Sequence, residues 1–383
     1  MTYYHYFPSP FGKIYLVGND GGLSRLLVDN GTKPFEISDD WIRSEERFKE
    51  AVKQLREYFS GERKAFDLKL NPAGTDFQKT VWQALAEIPY GESHSYKDVA
   101  VKVGNPKASR AVGMANNKNP LPIIVPCHRV VGANGKLTGY AYGLEMKRRL
   151  LDLEKVTRLF GRLIKRYGYL EEWWPAESEF EIMVGAVLTQ NTNWKNVEKA
   201  LANFNGKLSP EFIEKTETDE LSEIIRPSGF HNQKAVKLKA LCEWFAKYEY
   251  DTERVRRQDG ETLRTELLSV KGVGGETADS VLNYAFDKPY FVIDAYTRRI
   301  FGRMGVQVPE AYVDLRLMAQ SMFPASASVY KAYHGLIVEH AKAHCKKTPD
   351  CVDCPVNDLC EFKFERNVQQ RAKIESGSLF ETA

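Results

Sequence analysis

NPLPIIVPCHRVVGANGKLTGYAYGLEMKRRLLDLE, residues 119–154, holds the pairing of residue types on which the reading of the chain turns. Its apolar run leads through Pro126 into Cys127 and His128. A free thiol is mostly protonated at neutral pH, so a nucleophilic cysteine needs a base or a positive field close by. His128 is a candidate base. Adjacent residues on an extended chain point to opposite faces, however, so the imidazole would reach the thiol through a water or after a turn. The competing reading is a buried structural cysteine beside an incidental histidine.

On the N-terminal side the chain opens β-rich: KIYLV and LSRLLV alternate and are joined by the turn signal NDGG, a hairpin. WIRSEERFKEAVKQLREYFSGE carries helical apolar spacing and stops at Gly61. Between Asp76 and Ala100 two further helical segments are separated by IPYGES, where Pro89 and Gly91 break the pattern. A connection through Gly104 and Pro106 leads to ASRAVGMANN, and this succession predicts a helix-turn-helix of the kind that enters a DNA groove. On the C-terminal side GLEMKRRLLDLEKVTRLFGRLIKRYG reads as one long or barely interrupted helix. Helical periodicity then runs to Glu339 with no convincing strand. The expected fold class is multidomain, α/β plus all-α. A small-sheet subdomain is expected at 1–70, a helix-turn-helix subdomain at 71–155, an all-helical domain at 156–364 and a polar tail at 365–383.

A chain of 383 residues is too long for one ordinary core, in keeping with that division. Its 43% hydrophobic and 27% charged residues are those of a soluble globular protein. No apolar run approaches the ~20 residues that a bilayer span needs. A net charge of +3 permits nucleic-acid binding without arguing for it. The opening MTYYHYFPSP has neither a basic leader nor an apolar core, so no secretory signal is expected and a reducing, cytoplasmic compartment follows. Six cysteines in such a compartment are metal ligands or nucleophiles rather than disulfides. Cys345, Cys351, Cys354 and Cys360 fall in a C-x5-C-x2-C-x5-C pattern, and zinc and an iron–sulfur cluster both accept four thiolates. Cys242, in ALCEWFAKY, is expected in the core.

GTDFQKTVWQALAEIPYGESHSYKDVA, GNPKASRAVGMANNKNPLPIIVPCHRVV, GYAYGL and KRRLLDLE resemble, in order and spacing, the O6-alkylguanine-DNA alkyltransferases. The resemblance covers essentially residues 1–154, and PCHRV with its flanks is its most specific part. It implies that Cys127 is the nucleophile, held as thiolate by His128 through a water, with Glu154 orienting the imidazole. Tyr96 would donate to guanine N3, and Arg110 would fill the stack when the damaged nucleotide is flipped out. Asn119 would be the hinge between recognition helix and active-site strand. The bland alternatives are a core role for Tyr96 and a phosphate contact for Arg110. In-line displacement at the alkyl carbon would leave a thioether, so one molecule would repair one lesion. Tyr142 stands where some members have small residues, and its bulk would favour methyl over benzyl-sized adducts.

LLSVKGVGGETADSVLNYAF sets Gly272 and Gly274 between two helical segments. Glycines there let backbone N–H groups approach a phosphate without reading sequence, although tight turns between packed helices use the same triplet. FVIDAYTRRI puts Asp294 at the head of a helical stretch with Arg298 and Arg299. With LTQNT at 188–192, these segments resemble the helix–hairpin–helix DNA glycosylases of the endonuclease III superfamily. In such an enzyme Gln190 would plug the gap in the duplex and Asp294 would stabilise an oxocarbenium sugar. The resemblance implies that the four cysteines hold a [4Fe-4S] cluster, with zinc as second choice. The loop at 345–360 would bring Lys346 and Lys347 near a phosphate, although the family's commonest first spacing is one residue longer.

Bifunctional members carry an imine-forming lysine in the hairpin. The matching position here, eighteen before Asp294 (294 − 276), is Glu276, and a carboxylate cannot form an imine, so no lyase step is expected. Lys271 stands at a different hairpin position. WWPAESEFEIMVGAVLTQNTNW looks like the corresponding segment of 3-methyladenine DNA glycosylase III. Trp173, Trp174 and Trp194 would then form an aromatic cleft, on which a cationic base gains ~0.5–2 kcal/mol. Ordinary core tryptophans are the alternative. The expected partner is double-stranded DNA with alkylated bases, with no membrane and no obligate protein partner. The rival readings of the second half are a glycosylase for oxidised pyrimidines or mismatched thymine or uracil, and a non-catalytic lesion-binding module.

Overall fold

Strands β1 (Tyr3–Ser9), β2 (Gly12–Asn19), β3 (Gly22–Asp29) and β4 (Ile42–Arg43) form one sheet in the order β3-β2-β1-β4. The computed structural model describes residues 1–31 and 35–362, so the polar tail expected at 365–383 lies outside the described residues. β2 and β3 make the expected antiparallel hairpin, Lys13 opposite Asp29 and Asn19 opposite Gly22. Alternation buries Ile14 and Leu16 of β2 with Leu26 and Val28 of β3. Gly22 has φ +130°, and a Cβ there would lie 2.4 Å from the Lys69 carbonyl oxygen, so only glycine fits the turn. β4 takes the first residues of a stretch whose spacing reads as helix. Ile42 and Arg43 pair parallel with Tyr3 and Tyr4, and helix α1 (Lys49–Phe59) begins six residues later (49 − 43).

α2 (Asp76–Ala86) opens on a Thr75–Gln78 capping box. α3 (Tyr96–Lys102) opens on a Ser95–Asp98 box directly after β5 (His94–Ser95), which pairs parallel with β6 (Val130–Val131). Reciprocal caps of this kind contribute about 1 kcal/mol each. α4 (Ser109–Asn117) completes the helix-turn-helix. α5 (Leu144–Tyr167) is a single helix of 24 residues, about 36 Å long.

The chain divides into two compact units, Met1–Leu159 with Ser321–Phe323, and the remainder. Among its described residues the second unit is all-helical: α6 (Glu179–Leu188), α7 (Trp194–Ala202), α8 (Pro210–Lys215), α9 (Thr218–Ile224), α10 (His231–Ala246), α11 (Thr252–Arg256), α12 (Gly260–Ser269), α13 (Gly275–Ser280), α14 (Ala295–Arg303), α15 (Tyr312–Gln320) and α16 (Ala327–Ala343). Met183, Val187, Leu238, Leu241, Leu263 and Val281 share its core, and Cys242 is buried among them. α13 runs on into one wide π-helical turn, Val281–Ala285. Among the described residues no helix is long and apolar enough to cross a membrane.

Candidate active sites

Cys127 and His128 leave the chain from a single 3-10 turn, Cys127–Arg129, so the two side chains are not forced to opposite faces as on a strand. Asn119 secures the approach. Its Nδ2 donates to the Val125 carbonyl at 2.8 Å, and the Leu121 N–H donates to its Oδ1 at 3.0 Å. Asn116 adds a longer bond, Nδ2 to the Cys127 carbonyl at 3.4 Å. Burial pushes the Cys127 thiol up, while Asn119, Lys147 and Tyr140 pull the other way. Lys147, on α5, is fully buried, and among the described residues its acceptors are carbonyls: Val130 at 2.5 Å, Thr138 at 2.7 Å and Gly139 at 3.3 Å. Desolvation lowers its ammonium to about 8, opposed by the charge of Cys127.

Two turns along α5, Glu154 is the hub of a buried network. Its Oε1 accepts from Tyr58 Oη at 2.7 Å and Arg129 Nη2 at 2.8 Å, and lies 2.9 Å from His128 Nε2. Its Oε2 accepts from the Gly91 N–H at 2.8 Å and Arg129 Nε at 3.0 Å. Burial alone would raise the Glu154 carboxyl, but His128 and Arg129 outweigh it and hold it at about 2. Burial lowers His128 in spite of Glu154. A neutral imidazole beside an ionised carboxylate carries its proton on Nε2 and donates it there. Nδ1 is then a bare lone pair, and it is buried with no hydrogen-bond partner among the described residues.

In the second unit Asp294 caps α14, its Oδ1 accepting from the Thr297 N–H at 2.7 Å. Burial would raise its carboxyl, but His334 and Thr297 bring it below the usual range. Partial desolvation and the Asp294 charge both raise Glu276, which is exposed on the first turn of α13. Four rings adjoin one another nearby. Trp174 meets Trp194 edge-on at 5.5 Å, Trp173 at 6.3 Å and Tyr284 at 4.9 Å. Gln190 holds the hairpin: its Nε2 donates to the Gly272 carbonyl at 3.1 Å and Thr277 Oγ1 at 2.9 Å, while Lys237 Nζ donates to its Oε1 at 2.6 Å. Gly272 has φ +83°, and a Cβ there would strike Lys237 at 2.5 Å. Gly274 faces open space.

Cys345, Cys351, Cys354 and Cys360 line one pocket together with Ile300, Met304 and Val356. Arg303, at the end of α14, donates to Cys345 Sγ at 3.2 Å and to the carbonyls of Lys346 at 2.7 Å and Lys347 at 2.8 Å. Burial raises the Cys354 thiol to about 11, and the neighbouring Cys360 and Cys345 add to this. Among the described residues, no three His, Cys, Asp or Glu side chains converge as a lone metal ion requires.

Family models match three stretches. They are the ribonuclease-like domain of 6-O-methylguanine DNA methyltransferase at 2–72, its DNA-binding domain at 76–156, and the HhH-GPD superfamily of base excision DNA repair proteins at 184–316. A methylated-DNA–protein-cysteine methyltransferase of Methanosarcina acetivorans is 59% identical over 152 residues, 40% of this chain and 97% of its own. A protein of Methanocaldococcus jannaschii, provisionally assigned as a DNA repair glycosylase, is 43% identical over 215 residues, 55% of this chain and 97% of its own. The chain belongs to the methylated-DNA–protein-cysteine methyltransferase family, fused to an HhH-GPD superfamily domain. A solved 3-methyladenine DNA glycosylase of H. pylori, bound to 1,N6-ethenoadenine, is 32% identical, covers 50% of this chain and 97% of its own, and has a TM-score of 0.43.

In the methyltransferase half, the structure brings Cys127, His128, Asn119 and Glu154 to one place. Tyr96, first residue of α3, stands close by, its hydroxyl donating to the Thr138 carbonyl at 3.1 Å. Tyr142 is buried, with its ring edge-on to Tyr140 at 6.2 Å and its hydroxyl reaching the Leu26 carbonyl at 3.4 Å. Arg110 is exposed on α4. Sequence reasoning overlooks Tyr58, Arg129 and Lys147. Lys147 had a signal, since seven residues (154 − 147) put it on the same face of α5 as Glu154. Tyr58 had none. In the HhH-GPD half, Asp294 and Glu276 share a neighbourhood, and Lys346 and Lys347 are exposed beside the cysteine pocket.

Proposed function

We propose that this chain repairs alkylated DNA by two reactions: irreversible transfer of the alkyl group from guanine O6 to Cys127, and excision of alkylated purines of the 3-methyladenine type by the HhH-GPD half. What carries the first is the buried Glu154 network, which leaves neutral His128 with a bare Nδ1 beside the Cys127 turn. The thiol proton passes to His128 through a water, and the Lys147 ammonium favours the thiolate left behind. Sulfur bonds to the alkyl carbon as the carbon–O6 bond breaks. Tyr96 gives a proton to guanine N3, making the base a better leaving group. Arg110 occupies the stack, Asn119 joins the recognition helix to the thiol, and Tyr142 limits the space for the alkyl group. The expected division into 1–70, 71–155 and 156–364 assigns this chemistry to the first two subdomains.

For the second reaction, Asp294 stabilises the oxocarbenium sugar and helps position water. The ring faces of Trp173, Trp174 and Trp194 favour a cationic, N-methylated purine. Such a base already leaves easily, and Glu276 offers no amine for an imine, so the strand is not cut. Gly272 and Gly274 present backbone N–H groups to phosphate, Lys346 and Lys347 add charge, and Gln190 enters the gap in the duplex. The four cysteines, lining one pocket, offer the four-thiolate donor set that a [4Fe-4S] cluster takes, with zinc as second choice. The cluster would fold the loop rather than act on the base. A cytoplasmic location and double-stranded DNA as sole partner belong to this reading.

The test is base release from DNA methylated on ring nitrogens and, separately, from oxidised DNA, with freed bases identified by chromatography. Release of 3-methyladenine with no strand nick and no borohydride-trapped adduct is expected. Release of oxidised pyrimidines would favour the broader glycosylase. Tight binding to lesions with no release, unchanged in Asp294→Asn, would favour a lesion-binding module.

A further inference from the structure

The two oxygens of Asp294 are unequally occupied. Oδ1 is committed to the cap of α14, through the Thr297 N–H. Oδ2 faces Nε2 of His334 at 3.7 Å, just beyond hydrogen-bond reach. His334 lies on α16 and is 5% exposed, and its Nε2 has no hydrogen-bond partner among the described residues. Trp173 walls one side of the ring, edge-on at 5.6 Å and 90°. On the other side Nδ1 lies 2.8 Å from Tyr284 Oη. Tyr284 comes from the π-helical turn, a widening that recurs at functional sites because it re-aims a side chain within a helix.

The hydroxyl has one proton and two possible acceptors, His334 Nδ1 at 2.8 Å and the Lys331 carbonyl at 3.3 Å. A proton on Nδ1 would leave a bare Nε2 lone pair facing the Asp294 carboxylate, so the hydroxyl donates to His334. Nδ1 then accepts, and the ring proton sits on Nε2, the atom aimed at Oδ2. We propose that Tyr284 and His334 are a positioning pair for Asp294: the tyrosine fixes ring and tautomer, and the Nε2–H holds the uncommitted carboxylate oxygen for base excision. The inference rests on the base-excision reading of Asp294. The open 3.7 Å gap suits a bond that closes when substrate is bound, as catalytic hydrogen bonds in free enzymes often do.

The pair also settles which of two neighbouring carboxyls is ionised. Asp294 is faced by Glu276 from α13, His334 from α16, Tyr284 from the π turn, and the Thr297 N–H from its own helix, while Arg298 acts on Glu276. Two neighbouring carboxylates resist ionising together, even though only Asp294 is buried and Glu276 is exposed. His334 favours the charge on Asp294, and Glu276 keeps its proton to higher pH. Without the imidazole the two titrations approach one another.

The experiment uses the full chain as wild type, His334→Gln and Tyr284→Phe, with carbon-13 aspartate and glutamate labels, Asp294→Asn and Glu276→Gln serving to assign the signals. Asp294 is expected to titrate about one pH unit higher in His334→Gln, and partway in Tyr284→Phe. The acid limb of single-turnover base release should move by the same amount, with a rate loss of about tenfold and unchanged affinity for abasic DNA. Should His334→Gln fail to fold, Tyr284→Phe removes only a hydroxyl and still decides the point. An Asp294 titration unmoved in the folded variants overturns the pair. If wild type releases no base, the excision reading falls by itself, and the carboxyl titration still tells whether the pair exists.

Discussion

Glu154 serves four donor residues at once, Tyr58, Gly91, His128 and Arg129, and it does so out of reach of solvent. A buried charge is tolerable only when its lone pairs are filled, and removing one side of such a pairing costs about 3–5 kcal/mol. Because its folded pKa, about 2, lies below the ordinary 4.5, the stability it contributes is present above about pH 4.5 and lost as pH falls toward 2. Glu154→Gln is therefore expected to lower the stability of the first unit at pH 7 and to flatten its decline between pH 4.5 and 2. Chemical denaturation of both proteins across that range, followed by near-ultraviolet absorption, checks it. At Tyr142 the expectation concerns space. Tyr142→Gly should open room behind Tyr140, so that free benzylguanine inactivates Cys127 about tenfold faster or more, an acceleration worth ~1.4 kcal/mol of barrier. An unchanged rate would mean that another side chain limits the pocket.

At the level of elements, local chemistry made much of the fold legible. The NDGG hairpin, the two helices of the helix-turn-helix and the caps at Thr75, Ser95 and Asp294 are each written in a few consecutive residues. β1 was harder to read, because YYHYF is aromatic throughout and hides its alternation; only His5 and Phe7 turn fully inward. β4 is two residues long and exists through its pairing with Tyr3 and Tyr4, a contact no local pattern encodes. The π turn is equally silent, since nothing in SVLNYAF forbids a regular helix. Asn119 shows how a single side chain can join elements. Asn119→Ala deletes its bonds to Val125 and Leu121, and we expect the melting temperature to fall and transfer to a methylated duplex to slow at least about tenfold, as a misplaced nucleophile should. Stopped-flow transfer with matched duplex-binding assays separates this from weaker DNA affinity.

For the whole molecule, the candidate residues of each reaction fall within one unit. Cys127, Lys147 and Glu154 belong to the first, and Asp294, Glu276, the tryptophans and the four cysteines to the second. The cysteine motif was legible because its four cysteines are close in sequence. His334 was not, lying forty residues from Asp294 (334 − 294) and meeting it only through the packing of α14 on α16. Within the second unit α14 has Asp294 at its head and Arg303, which carries the cysteine loop, at its foot. If the cysteines hold the proposed cluster, stripping iron with a chelator is expected to abolish base release while leaving alkyl transfer to Cys127 intact. Loss of both, or of neither, would count against the cluster as a local support for α14.

Lys147 and Glu154 share one face of an unbroken helix, two turns apart, and both are fully enclosed. Deleting or inserting one residue between them would swing one side chain about 100° around the axis and strand it in the wrong wall. Substitution at the partly exposed positions between them, Arg148, Arg149 and Leu151, would be gentler. Among descendants of this gene, then, the count of residues from Lys147 to Glu154 should stay frozen while the letters at 148, 149 and 151 drift, a ruler that sequencing of diverged lineages can read without any assay.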